Sequence, residues 1–173
     1  MKRSQFTAIL TLFMLVIGLV IGCNDSPGEP EGTFSLVKAN PAMLGLAKGE
    51  LLTTAEVSSE NGALLTSDAM AGNYIEIPAG ALGSDMTLTF SISIDSEGAL
   101  LFGVEGDGVA AGEHIYFEEG KTSVIAVDKE WLAATPEQGM NYETFEKYDV
   151  TDGGTHWLIE VPHFSLYAWI ITD

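Results

Sequence analysis

The sequence predicts an all-β domain, an antiparallel sandwich or barrel, and two stretches carry that prediction. Between Met86 and Ile94 an apolar residue occupies every second position, with threonine or serine between them. This is the two-residue period of a strand with one buried face. Just before it, Tyr74–Ile77 has the composition of a second strand, and Pro78 ends it because proline has no amide hydrogen to donate. Two one-faced strands need a further apolar layer to be stable.

Further short strands are indicated along the chain by β-forming residues between turn residues. They are expected at Leu52–Val57, Ala63–Thr66, Leu100–Val104, Thr155–Val161 and Phe164–Ile171. In addition, His114–Phe117 and Thr122–Val127 flank Glu118–Lys121, a spacing that predicts a hairpin. The period of Met140–Tyr148 is ambiguous, although its aromatic residues favour a strand.

Three shorter signals mark caps and turns. Asn40 and Pro41, ahead of Gly49, fit either a two-turn helix or an irregular lead-in. Asp128 is expected to cap a single helical turn that contains Trp131. Asp152-Gly153-Gly154 predicts a tight turn between two strands.

The N-terminus has the layout of a secretory signal. Two basic residues precede an apolar run, Phe6–Ile21, which is short for a bilayer core of ~30 Å that needs about 20 helical residues. The sequence Val20–Cys23 resembles the lipobox of bacterial lipoproteins, which implies cleavage before Cys23 and lipid on the new N-terminus. An uncleaved anchor is the alternative.

These signals divide the chain into three parts. Residues 1–22 are expected to be a lipoprotein signal peptide, residues 23–50 a lipidated tether and lead-in, and residues 51–173 the β-sandwich domain. The tether begins with prolines, glycines and acids that cannot bury enough apolar surface to fold. Asn24 follows the lipidated position with Asp25 behind it, which leaves the destination within a bacterial envelope undecided, with the outer membrane favoured.

The mature chain is strongly acidic. Removing residues 1–22 takes Lys2 and Arg3 from the seven basic residues and leaves five lysines against 25 acidic residues. Such a surface repels phosphate backbones and anionic headgroups, which excludes nucleic acid and electrostatic membrane binding. Solubility outside the cell is the plainest explanation of the acidity; calcium or a basic partner is the alternative.

Several motifs resemble the ZU-five domain and its bacterial relatives. They are Gly62–Leu64, Ile75–Leu82 and His163–Tyr167, together with the alternating strand between them, and the resemblance spans Val57 to Ile170. It implies a β-sandwich whose roles are protein contact and surface display. The chain departs from the family where a proline-containing strand is replaced by Phe117–Lys121.

The same resemblance points to one possible reaction. In some ZU-five proteins a His-Phe-Ser sequence cleaves itself, which implies Ser165 as nucleophile, His163 as base and Phe164-Ser165 as the broken bond. In an extended strand His163 and Ser165 would project to one face. The alternative is a structural histidine that hydrogen-bonds the serine or nearby backbone, with Phe164 and Tyr167 in the packing.

Other sites have weaker support. His114, His156 and His163 lack the paired spacing of a structural zinc site. The acidic loops at Glu105–Asp107 and Asp149–Asp152 do not fit the twelve-residue calcium pattern. No Gly-x-Ser-x-Gly elbow or phosphate-binding glycine loop is present. We therefore expect no catalytic residue, metal or cofactor.

The aromatic residues offer a further function. Glycan binding would need an exposed stacking platform, for which the candidates are Trp131, Trp157, Trp169 and Tyr142. Taken together, the sequence favours a lipid-anchored interaction module of the cell envelope without catalytic activity, with a protein or a glycan as its partner. Self-cleavage and glycan binding are the alternatives.

Overall fold

The protein, seen in a computed structural model, is all-β throughout the part of the chain that the structure describes. This part comprises residues 33–43, 51–70, 72–110 and 113–172. Its strand pairs are antiparallel, and its helical elements are two single 3-10 turns, Asp68–Met70 and Lys129–Trp131. The predicted signal peptide, Cys23 and most of the tether lie outside the described residues. No helix in the described ranges has the length and apolar character needed to cross a bilayer.

The described residues form thirteen strands, which are numbered in chain order. They are β1 (Phe34–Leu36), β2 (Leu51–Val57), β3 (Ala63–Leu65), β4 (Tyr74–Ile77), β5 (Met86–Ile94), β6 (Leu100–Gly106), β7 (Ile115–Tyr116), β8 (Ser123–Asp128), β9 (Gln138–Asn141), β10 (Lys147–Asp152), β11 (His156–Val161), β12 (His163–Phe164) and β13 (Leu166–Thr172).

One sheet takes in most of these strands and is nearly closed. Its order is β2-β5-β6-β13-β9-β10-β11-β8-β4-β3, with β1 also paired to β13, while β7 and β12 form a separate two-stranded sheet. The two end strands, β2 and β3, follow each other in the chain across the bridge between Ser58 and Gly62. The Thr53 hydroxyl also donates to the Thr66 carbonyl at 3.4 Å. The predicted all-β antiparallel class is therefore confirmed.

The core is built from the inward faces of the strands. In β5 the side chains of Leu88, Phe90 and Ile92 are fully buried, while the hydroxylated residues between them are partly exposed, as the alternation predicts. The rings of Phe90 and Phe102 stack at 6.0 Å, and Trp169 meets Phe102 edge to face at 6.3 Å. These contacts join β5, β6 and β13 into one apolar layer.

Most of the predicted strands and the Asp128 cap are confirmed. The strands β4 and β5 have the predicted bounds, and β2, β3, β6, β11 and β13 agree to within two residues. The Asp128 carboxylate accepts the Glu130 amide at 2.9 Å and caps the 3-10 turn that holds Trp131. The turn at Asp152–Gly154 joins β10 to β11 as expected.

The predicted hairpin between His114–Phe117 and Thr122–Val127 is wrong. The turn between them forms, since the Lys121 amide donates to the Glu118 carbonyl at 2.9 Å. The strands nevertheless part, because β7 pairs with β12 while β8 lies between β11 and β4. Most of β8 is buried, so it needs a neighbouring strand on each side.

Two other segments differ in detail from the expectation. Strand β1 falls within the stretch expected to be a lead-in, yet it pairs with the C-terminal strand through Phe34–Thr172 and Leu36–Ile170. The ambiguous stretch Met140–Tyr148 is a tight hairpin between β9 and β10. Its polar middle forms the turn, which a strand prediction from its aromatic residues overlooked.

Candidate functional site

A cleft of about 420 Å³ lies where β6, β12 and β13 meet the segment that leads into β7. The apolar part of its lining includes Val104, Ile115 and Phe164, all of them buried. Three glutamates on separate elements supply the polar part, together with Ser91, Ser93 and Ser165. The glutamates are Glu105 in β6, Glu113 before β7 and Glu143 in the turn after β9. A mixed apolar and polar concavity of this size is typical of ligand-binding sites.

Gly103 leaves the space that the cleft needs on the outer side of β6. It lies opposite Ser91 on β5 and Leu166 on β13. A Cβ atom at this position would approach Ser91 Oγ to 2.7 Å and Leu166 Cδ1 to 3.3 Å. A larger residue would therefore fill the cleft or displace its walls.

The turn between β9 and β10 positions two glutamates beside the cleft. The buried Asn141 side chain closes this turn, because its Oδ1 accepts the amides of Glu143 at 2.9 Å and Thr144 at 3.1 Å. Phe145 has a φ of 60°, the only positive value of a non-glycine residue in the described ranges. This left-handed residue reverses the chain, so Glu143 and Glu146 both face the neighbouring histidines.

Two histidines that are far apart in the sequence meet at this turn. The Nδ1 atoms of His114 and His163 lie 3.2 Å apart, so a proton on one can be shared with the other. The opposite nitrogens face carboxylates: His114 Nε2 is 3.6 Å from Glu143 and His163 Nε2 is 3.7 Å from Glu146. The exposed Tyr116 ring stacks with His114 at 6.0 Å and lies tilted against His163 at 5.2 Å. We call His114, His163, Glu143 and Glu146 the histidine cluster.

Two tyrosines extend the histidine cluster into the core. The Tyr167 hydroxyl donates to the His163 carbonyl oxygen, and the Tyr148 hydroxyl donates to Glu146 Oε2 at 2.8 Å. Burial, followed by the neighbouring Glu146 carboxylate, raises the pKa of Tyr148 far above its ordinary value of 10.0. Burial and the nearby Tyr148 likewise raise the pKa of Tyr167.

The raised tyrosine pKa values predict alkaline unfolding. An unfolded tyrosine has a pKa of about 10, whereas Tyr148 and Tyr167 in the folded domain have higher pKa values and ionise only at higher pH. The stability that depends on these two neutral hydroxyls is therefore complete below pH 10 and is lost as pH rises towards the folded pKa values. Urea unfolding between pH 8 and 11 should show a fall in stability above pH 10, and Tyr148→Phe should make that fall shallower. Tyr116→Phe, at an exposed ring, should follow the parent protein.

The structure does not bring His163 and Ser165 together as a base and a nucleophile. The chain bends at Ser165, between β12 and β13, so the alternation of an extended strand stops there. The Ser165 hydroxyl donates to Glu143 Oε2 at 2.9 Å and lies 3.4 Å from Asn141 Oδ1. Within the described ranges no hydrogen bond joins it to His163, and Phe164 packs in the core.

Two of the three tryptophans cannot contribute to the stacking platform that glycan binding would need. Trp131 and Trp169 are fully buried, so neither ring can lie against a sugar at the surface. Trp157 is half-buried beneath the Lys129 ammonium, 4.1 Å from its ring centroid. Tyr142 is also half-buried. The buried rings act in the core, as most large aromatic residues of β-domains do.

The remaining candidate ligands are engaged elsewhere. His156 Nε2 lies 2.9 Å from the Gly72 carbonyl oxygen. Asp152, in one of the two acidic loops, accepts hydrogen bonds from Lys129 at 2.6 Å and from the Gly154 amide at 2.8 Å. Among the described side chains, no three of the histidine, cysteine, aspartate or glutamate type group so that they could hold a metal ion.

Glu143 and Glu146 were not predicted as site residues because the period of Met140–Tyr148 is ambiguous and its aromatic residues favour a strand. The available signal was Asn141, since asparagine commonly accepts the amides of the next residues in a turn. Comparison with known proteins adds no further assignment: no family model matches the sequence, and no curated protein matches it.

Proposed function

We propose that this protein is a lipid-anchored envelope module that binds a partner and has no catalytic activity. The observation that carries the proposal is the cleft, which combines apolar walls with three carboxylates and, among the residues that the structure describes, is lined by no basic side chain. Such a surface suits recognition of a partner. The secretory layout and the lipobox-like sequence before Cys23 support the anchor, with the outer membrane as the favoured location.

The surroundings of Ser165 support a binding role over self-cleavage with His163 as the base. The Ser165 hydroxyl donates to Glu143, and no hydrogen bond in the described ranges joins it to His163. Self-cleavage also needs a strained peptide, whereas neither Phe164 nor Ser165 has a positive φ, and Phe164 packs edge to face on Phe117 at 4.7 Å in the core. A ZU-five-like sandwich requires the all-β antiparallel architecture that the described residues have. We therefore also propose that this domain is related to ZU-five domains.

The Cys23→Ser variant tests the anchor. Radiolabelled palmitate should enter the parent protein in a bacterial host, and the protein should fractionate with membranes. The variant should lose both properties because it lacks the thiol that accepts lipid. Ser26→Ala, a nearby hydroxyl change that leaves Cys23 intact, serves as the control. A Cys23→Ser protein that is still labelled and membrane-bound would refute the anchor.

The absence of self-cleavage is tested on the same purified parent protein by intact mass. After prolonged incubation it should remain a single chain ending at Asp173. A fragment ending at Phe164 would instead establish cleavage of the Phe164-Ser165 bond and would contradict the non-catalytic proposal.

A further inference from the structure

We propose that the cleft binds a lysine side chain of a partner protein, with the methylene stem on the apolar wall and the ammonium group among the three glutamates. The inference rests on the proposed binding function and names the chemistry that the cleft recognises. It is carried by two properties of the cleft, its apolar wall and its arrangement of charge.

The apolar wall suits an aliphatic stem. Val109 and Leu166 in the lining are half-buried and can contact a ligand, and Val104, Ile115 and Phe164, each less than 10 % exposed, complete the lining from three strands. The wall is held in place because Ile115 pairs with Phe164 across the β7–β12 sheet. A lysine stem laid on this wall would bury its methylene groups while its charged end stays at the polar side.

The polar side suits an ammonium group. Glu105, Glu113 and Glu143 approach from three separate elements, and none of them forms a salt bridge with a lysine in the described ranges. Glu143 is oriented by the hydrogen bond from Ser165. An ammonium group has three donors that point in different directions, whereas a guanidinium fork matches a single carboxylate in one plane.

Charge complementarity supports a basic partner over other occupants. The whole chain carries a formal net charge of −18 and would repel an anionic ligand. Net charge alone would attract cations to every acidic face. The apolar wall beside the glutamates distinguishes this cleft from other acidic faces. The measurements below separate binding in the cleft from attraction by net charge.

The first measurement compares two probes whose side chains have the same number of carbon atoms. The full-length protein, labelled with ¹⁵N and held in a non-ionic detergent, is titrated with N-acetyl-lysine methylamide and with N-acetyl-norleucine methylamide. The lysine probe should give saturable amide shifts that include Glu113, Phe164 and Ser165. The norleucine probe, which lacks the ammonium group, should bind at least about tenfold more weakly. Equal binding of the two probes, or no saturable shift with lysine, would overturn the proposal.

The second measurement compares two variants of equal charge. Glu113→Gln removes a carboxylate from the cleft, and Glu119→Gln removes one from the exposed turn before Lys121. Both positions are exposed, so neither change should disturb folding. Glu113→Gln should weaken binding of the lysine probe about fivefold, and Glu119→Gln should leave it within about twofold. Equal weakening would assign the binding to net charge and refute the cleft.

Two further probes identify the source of the cation. Tighter binding of N-acetyl-arginine methylamide would contradict the choice of lysine. Tighter binding of 1,5-diaminopentane would assign the cleft to a free diamine and contradict a protein partner. These outcomes leave the Cys23→Ser and mass experiments untouched, so the inference can fail while the proposed anchored, non-catalytic module stands.

Discussion

Replacing Gly62 by alanine should abolish the folded domain or lower its free energy of unfolding by more than about 4 kcal/mol. Gly62 has a φ of +67°, and a Cβ atom there would lie 2.1 Å from the Ile77 carbonyl oxygen and 2.7 Å from the Pro78 carbonyl carbon. Both are backbone atoms and cannot rotate away. Removing this steric clash would require β3 to shift relative to β4, where Ala63 pairs with Ile77.

Gly120→Ala is the matched control for this change. Gly120 has a similar φ of +75°, but no atom lies within 4 Å of the position its Cβ would take. The free energy of unfolding of this variant should therefore fall only by the cost of a left-handed alanine, about 1–2 kcal/mol. Urea unfolding of both variants gives the difference. Equal losses would show that the close approach at Gly62 has no energetic effect.

Truncating Trp169 to alanine should have the second largest effect, about 3–5 kcal/mol. Trp169 is fully buried near the middle of β13 and packs edge to face on Phe102. Its Nε1 has no hydrogen-bond partner in the described ranges. Trp169→Phe should therefore lose much less, because it keeps an aromatic ring and removes an unpaired buried donor.

Trp157→Ala is the control for the core truncation. Its ring is half-buried and lies beneath Lys129, so we expect a loss of about 1–2 kcal/mol. Denaturant unfolding should rank Trp169→Ala as the least stable of the three variants. A Trp157→Ala protein that is equally destabilised would contradict the assignment of Trp169 to the centre of the core.

The parts of the fold that are coded locally could be predicted from the sequence. The alternation in β5 and the proline after β4 each act within a few residues, and the structure has both strands with the predicted bounds. The pairing of β7, in contrast, depends on residues that are distant in the sequence. Its partner β12 lies far along the chain, and nothing within His114–Phe117 specifies that register.

The candidate site could not be predicted from the sequence either, because it too depends on pairing between strands that are far apart in the chain. The rule for zinc ligands finds histidines that are close in sequence, whereas His114 and His163 are 49 positions apart and meet only through the β7–β12 pair. The two-residue period of a strand predicts His163 and Ser165 on one face. The chain bends at Ser165, so this period does not fix the direction of the Ser165 side chain, whose hydroxyl donates to Glu143.

The position of β13 has a consequence for how the protein forms. Strand β13 is not at an edge of the sheet: it pairs with β6, β9 and β1. A nascent chain in which β13 has not yet been made therefore has open edges on β6 and β9, which are prone to associate with other chains. The sheet can close only once β13 is present, so a product truncated before Leu166 should be aggregation-prone.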